Sequence, residues 1–124
     1  MPMVRSVRVS VLALMACGLA TPALAHAHLV RETPSANAVL TAAPTELRLT
    51  FSEGLEARFT TVKVTGPGTA SVATAGTTLD PQNNALLIVP LPGPLSPGTY
   101  KVEWHAVSTD THKTQGSYSF TLRP

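Results

Sequence analysis

Apolar and polar residues alternate in four separate segments of this 124-residue chain, and this alternation limits the possible fold more than any other feature. Successive side chains of a β-strand point to opposite faces of a sheet, so a period of two predicts a strand with one buried face. The alternating segments are 47–51, 61–65, 100–105 and 117–122. A fifth segment, 85–89, is apolar throughout and predicts a strand covered on both faces.

Turn-forming residues separate these predicted strands. They are Gly66-Pro67-Gly68, Asp80-Pro81 and the proline-rich stretch 90–98, where missing amide donors and fixed backbone angles end a ladder. The sequence contains no capped amphipathic helix, internal repeat or interdomain linker. We therefore expect one all-β domain, an antiparallel sandwich or Greek-key β-barrel of the immunoglobulin-like kind.

Residues 1–25 have the pattern of a cleaved secretory signal peptide. Two arginines precede the apolar stretch Val9–Ala20, and the small-x-small sequence Ala23-Leu24-Ala25 follows it. The apolar stretch is too short to span a membrane. We expect cleavage after Ala25 and an exported, soluble domain of residues 26–124, although cleavage after Ala27 also fits the pattern.

Removing this segment changes the composition of the product. All three methionines and the single cysteine precede residue 26, so the remaining domain has no sulfur and no disulfide. Nine basic residues less Arg5 and Arg8 leave seven, which balance seven acidic residues. A neutral domain gives no electrostatic support to a nucleic-acid partner or to membrane docking. We expect a monomer, and no stable membrane insertion because no second apolar run follows the first.

The histidines suggest a metal site. Cleavage after Ala25 would make His26 the N-terminal residue, and its α-amino nitrogen and Nδ1 can then chelate one metal. Asp110 and His112 are two residues apart, so in extended backbone both would project to the same side. Nitrogen-rich ligation with one carboxylate suits tetragonal Cu(II), whereas sulfur ligands suit Cu(I). The sequence therefore predicts a single Cu(II) site.

Five sequence blocks indicate a family. They are His26–Val30 with Thr33-Pro34, Leu49–Glu53, Gly98–Trp104, Val107–His112 and Gly116–Phe120. In order and spacing they resemble the CopC family of periplasmic copper-binding proteins, and the resemblance covers nearly all of residues 26–124.

The resemblance implies a small Greek-key β-barrel with one Cu(II) bound by His26, Asp110 and His112, and with Glu53 as a weak or outer ligand. Some members carry a methionine-rich loop for Cu(I), but residues 68–79 of this chain contain none. The expected function is copper homeostasis and resistance without catalysis. The domain would sequester Cu(II), or pass it as a copper chaperone to a membrane importer or another periplasmic copper protein.

Several alternatives stay open at this point. His28 would be the third residue after cleavage, and a free amine with histidine at position three binds Cu(II) through two backbone amides and that imidazole. His28 is thus an alternative ligand or a group that orients a ligand, whereas His105 is expected to be solvated. A copper-dependent oxidative enzyme and an immunoglobulin-like interaction module without metal are the other functional classes considered.

Overall fold

Nine β-strands and two short 3-10 turns form the regular structure of the residues that this computed structural model describes, namely 3, 18 and 26–124. The strands are β1 Leu29–Thr33, β2 Val39–Leu40, β3 Glu46–Phe51, β4 Thr61–Thr65, β5 Ser71–Val72, β6 Thr78–Asp80, β7 Asn83–Pro90, β8 Gly98–Val107 and β9 Lys113–Leu122. The 3-10 turns are Ala57–Phe59 and Pro67–Thr69. Apart from Met3 and Gly18, the predicted signal peptide lies outside the described residues.

The strands form two sheets, which confirms the predicted all-β class. One sheet has the order β1-β3-β7-β6 and the other the order β2-β9-β8-β4-β5. All strand pairs are antiparallel except the two-residue pairing of β2 with β9, which is parallel. Among the described residues, no helix has the length and apolar character needed to cross a membrane.

The core lies between the sheets and is built from the alternating segments. In β3, Leu47, Leu49 and Phe51 are buried, while Arg48 and Thr50 are partly exposed. The other buried side chains include Leu87, Val89, Tyr100, Val102, Trp104, Ala106, Tyr118, Phe120 and Leu122. Aromatic rings from different strands meet there: Phe51 contacts Trp104 edge to face, and Tyr100 stacks on Phe120. These contacts hold the ends of the strands in fixed relative positions.

The prediction that segment 85–89 is covered on both faces is wrong. Leu87 and Val89 are fully buried, but Leu86 and Ile88 are only partly buried. Strand β7 lies between β3 and β6, so both of its edges are paired while only one face points into the core. Its apolar outer face is partly exposed.

The longest pairing is the hairpin of β8 and β9, in register from Gly98 opposite Leu122 to Val107 opposite Lys113. This hairpin places residues 108–112 in a loop at one end of the domain. The loop contains the predicted Asp-x-His pair.

Candidate metal centre

Three segments that are distant in sequence meet at this end of the domain. We call them the N-terminal segment (26–28), the bridging segment (52–56) and the hairpin loop (108–112). The Ser52 amide donates a hydrogen bond to the His28 carbonyl over 2.8 Å, and the Thr109 amide donates to the Gly54 carbonyl over 3.0 Å. The bridging segment, which follows β3, is therefore bonded to both the N-terminal segment and the hairpin loop.

The hairpin loop brings Asp110 and His112 together by a turn and not by extended backbone, which corrects the geometric reason for the prediction. The Thr111 amide donates to the Ser108 carbonyl over 2.9 Å, and Thr111 has a left-handed φ of 72°. His112 Nδ1 lies 3.0 Å from Asp110 Oδ2. The expected proximity of the two side chains is present in the turn.

Ser108 orients the Asp110 carboxylate. Its side chain is fully buried, and its hydroxyl donates a hydrogen bond to Asp110 Oδ1. This bond, followed by the bond from the His112 side chain, lowers the pKa of Asp110 from 3.8 to about 2, because both bonds favour the charged form. Asp110 is thus an ionised carboxylate in neutral and mildly acidic solution. Its side chain is 43% exposed, so it is also accessible to an ion from solvent.

His26 lies against His112. The two ring centroids are 5.1 Å apart with an interplanar angle of 83°. Within the part of the chain that the structure describes, His26 Nδ1 is buried and has no hydrogen-bond partner. A buried polar atom without a partner costs free energy, and binding a ligand removes that cost. This nitrogen is the His26 ligand atom predicted from the sequence.

The spacing of the donors is compatible with one metal ion. Metal–nitrogen and metal–oxygen bonds in proteins are about 2.0–2.2 Å long, so neighbouring ligands at right angles are about 2.8–3.1 Å apart. The 3.0 Å between His112 Nδ1 and Asp110 Oδ2 lies in that interval, and an ion bound by both atoms would displace the proton of the hydrogen bond that now joins them. Over residues 26–124, however, no three His, Cys, Asp or Glu side chains are already arranged around one metal position. Binding by all three residues would therefore require side-chain rotation.

The other candidate residues lie outside this contact group. Among the described residues, no hydrogen bond, ion pair or ring contact joins the side chain of Glu53 or His28 to the Asp110–His112 pair. Glu53 is partly buried and His28 is exposed. His105 is exposed on β8, as expected.

Three hydroxyl residues of the site were not predicted from the sequence. Ser52 bonds to the backbone of His26 and His28, Ser108 bonds to Asp110, and the Thr114 hydroxyl donates to the Ala27 carbonyl over 2.8 Å. The order Ser-x-Asp is typical of turns in which side chains bond locally, and this signal would have identified Ser108. The other two bonds join residues that are distant in sequence.

The fold and these contacts define a small β-sandwich with two histidines and a carboxylate clustered at one end. The CopC domain model matches residues 29–123, and the chain belongs to the CopC family. The resemblance noted in the sequence is thereby confirmed.

Three known proteins are similar to this chain. The chain is 47% identical over 120 residues to Protein YobA of Escherichia coli (strain K12), covering 96% of each chain. It is similar to the crystal structure of PcoC, a methionine-rich copper resistance protein from Escherichia coli, with a TM-score of 0.72 and 35% identity, covering 80% of this chain and all of that chain. It is also 33% identical over 98 residues to copper transport protein CutJ of Bacillus subtilis (strain 168), covering 79% of this chain but only 18% of that protein.

Proposed function

We propose that the chain is exported, loses residues 1–25, and acts in the periplasm as a Cu(II)-binding protein of copper resistance and homeostasis. The observation that carries this proposal is the buried, unpartnered Nδ1 of His26 beside the ring of His112, which is itself bonded to Asp110. One Cu(II) per chain would be held by the freed α-amino nitrogen and Nδ1 of His26 together with His112 and Asp110. Glu53 and His28 have no assigned part in this site.

The donor set supports Cu(II) over Cu(I). Nitrogen and carboxylate oxygen are ligands suited to Cu(II), whereas Cu(I) prefers thioether and thiolate sulfur. No Met or Cys occurs after residue 17 of this chain. The similar solved protein is described as methionine rich, so the two proteins differ in the residues available for Cu(I).

Capture and release would occur by ligand exchange at the surface. The side chains of His112 and Asp110 are 48% and 43% exposed, so an ion can reach them without opening the domain. Asp110 is ionised before the metal arrives, and its negative charge offsets part of the positive charge of the ion. The nitrogen ligands must be unprotonated to bind, so affinity is expected to fall in acid.

We propose that the copper passes to a membrane importer or to another periplasmic copper protein. The support is that a region similar to this chain forms part of a longer relative named a copper transport protein. We propose binding without catalysis, because Asp110 would occupy a coordination position that oxygen chemistry needs to be open. A metal-free interaction module would not explain why His26 lies against His112.

The experiment is a competitive Cu(II) titration with electron paramagnetic resonance on two proteins, one beginning at His26 and one with a single alanine added before it. The added residue converts the α-amine into an amide, so one-to-one binding should weaken by orders of magnitude. His105→Ala is the matched control, since His105 is exposed on β8 and is not part of the site. Equal affinity of the extended and unextended proteins would refute the site. Mass spectrometry of the exported protein tests cleavage after Ala25.

A further inference from the structure

After cleavage behind Ala25, the N-terminal segment would offer copper two mutually exclusive binding modes. In one mode, His26 binds together with the distant Asp110 and His112. In the other, the α-amine, the amide nitrogens of Ala27 and His28 and the His28 imidazole surround the ion, and the two amide protons pass to solvent. Both modes use the same amine, so any contact of the folded chain that opposes one mode favours the other.

Ser52 makes three hydrogen bonds to the N-terminal segment. Its Oγ accepts from the His28 amide over 2.8 Å and donates to the His26 carbonyl over 3.1 Å. Its amide donates to the His28 carbonyl over 2.8 Å. The His28 amide nitrogen is therefore already engaged as a hydrogen-bond donor, and residues 26–28 are bonded to the chain just beyond β3.

A second contact opposes wrapping of the segment around an ion. Ala27 is fully buried, and its carbonyl accepts a hydrogen bond from the Thr114 hydroxyl over 2.8 Å. Binding through the Ala27 and His28 amides would require the segment to curl until four nitrogens lie in one plane. Curling would break the Ser52 bond to the His28 amide and disturb the packing of Ala27.

We propose that Ser52 is a positioning residue that selects the copper coordination mode. By holding the His28 amide as a donor, Ser52 excludes the local third-position chelate and leaves His26 beside His112. This inference rests on the proposed function, since it assumes that His26 binds copper with Asp110 and His112. Ser52 itself does not touch the metal.

The test is Ser52→Ala in the protein beginning at His26, with one equivalent of Cu(II) at a fixed neutral pH. The variant is expected to change from a mixed nitrogen and oxygen electron paramagnetic resonance signature to that of four nitrogens, and its visible absorption maximum should move to shorter wavelength. Adding His28→Ala to Ser52→Ala should abolish the four-nitrogen signal. Ser52→Thr, which keeps a hydroxyl, should retain the wild-type spectrum.

Ser117→Ala is the matched control, because Ser117 is exposed on β9 and its side chain makes no hydrogen bond within residues 26–124. A mixed signature in both wild type and Ser52→Ala would overturn this inference and leave the proposed function intact. A four-nitrogen signature in the wild type would overturn both.

Hydrogen exchange of the metal-free wild type provides a second measurement that does not depend on folding of the variant. The His28 amide is expected to exchange more slowly than an unbonded amide, because Ser52 Oγ accepts its hydrogen. Exchange at the rate of an unstructured peptide would overturn the inference.

Discussion

Replacing Thr114 with valine is expected to destabilise the copper-loaded domain. The Thr114 hydroxyl donates to the carbonyl of Ala27, a residue 87 positions away and fully buried. Valine has nearly the same shape as threonine but no hydroxyl, so the change removes one hydrogen bond and leaves the carbonyl without that donor. The contact is one of those that hold His26 near His112.

The size of the effect follows from the burial of the carbonyl. Leaving a buried acceptor unpaired costs about 1–3 kcal/mol, and partial burial of Thr114 favours the lower part of that range. The domain of residues 26–124 is of a size for which 1 kcal/mol lowers Tm by about 4–8 °C. The metal-free protein can avoid part of this cost by releasing the N-terminal segment, whereas the copper-loaded protein cannot. The difference between the free-energy costs in the copper-loaded and the metal-free protein appears as weaker copper binding, about tenfold for each 1.4 kcal/mol.

The assay is urea unfolding followed by circular dichroism, with and without saturating Cu(II), on the protein beginning at His26. Thr99→Val is the matched control: its hydroxyl pairs with that of Thr121 at the other end of the same hairpin, and this pair is exposed. Water can replace that bond, so a change within about 0.5 kcal/mol is expected for the control. If Thr114→Val were as stable as the control both with and without copper, the reasoning would be refuted.

Two further predictions concern the same hairpin. Ser108→Ala is expected to raise the pKa of Asp110 from about 2 towards 3.8, because the Ser108 hydrogen bond contributes most to lowering it; nuclear magnetic resonance titration of the metal-free protein measures this. An unchanged pKa would contradict the role of Ser108. Since the folded-state pKa of Asp110 is depressed, the ionised carboxylate stabilises the fold above about pH 4, and this contribution is lost as the pH falls towards 2. Gly116→Ala should destabilise the domain by about 1–3 kcal/mol, because the added Cβ would lie 2.5 Å from the Trp104 ring. Denaturation followed by Trp104 fluorescence tests this prediction, and a variant as stable as the wild type would argue against the close contact.

The sequence predicted the fold class and the longer strands because those strands have one clearly buried face. β3, β4, β8 and β9 each coincide with an alternating segment. The sequence pattern does not predict β1, β2, β5 or β6, which contain two to five residues each. In β1 the register shifts between Leu29 and Arg31, and Val30 is 60% exposed, so the alternation is interrupted. Whether such a short strand forms depends more on the strand it pairs with than on its own residues.

The sequence predicted that the Asp110 and His112 side chains lie close together, but not which residues support them. His26, Asp110 and His112 were singled out as candidates by an expected terminal position and by a two-residue spacing. Ser52 and Thr114 are ordinary strand-end and strand residues by sequence. Their importance comes from hydrogen bonds across 24 and 87 residues, which only the folded chain can form.

This difference between local and long-range contacts bears on how copper binding couples to folding. The proposed site joins His26 to a hairpin loop at the other end of the sequence, so it requires the folded domain. The third-position chelate requires only the first three residues after cleavage and is available to an unfolded chain as well. Binding to the unfolded chain reduces the stability that copper can add to the native state. The hydrogen bonds of Ser52 oppose the local mode only in the folded protein, and so native and unfolded chains would hold the same ion through different ligands.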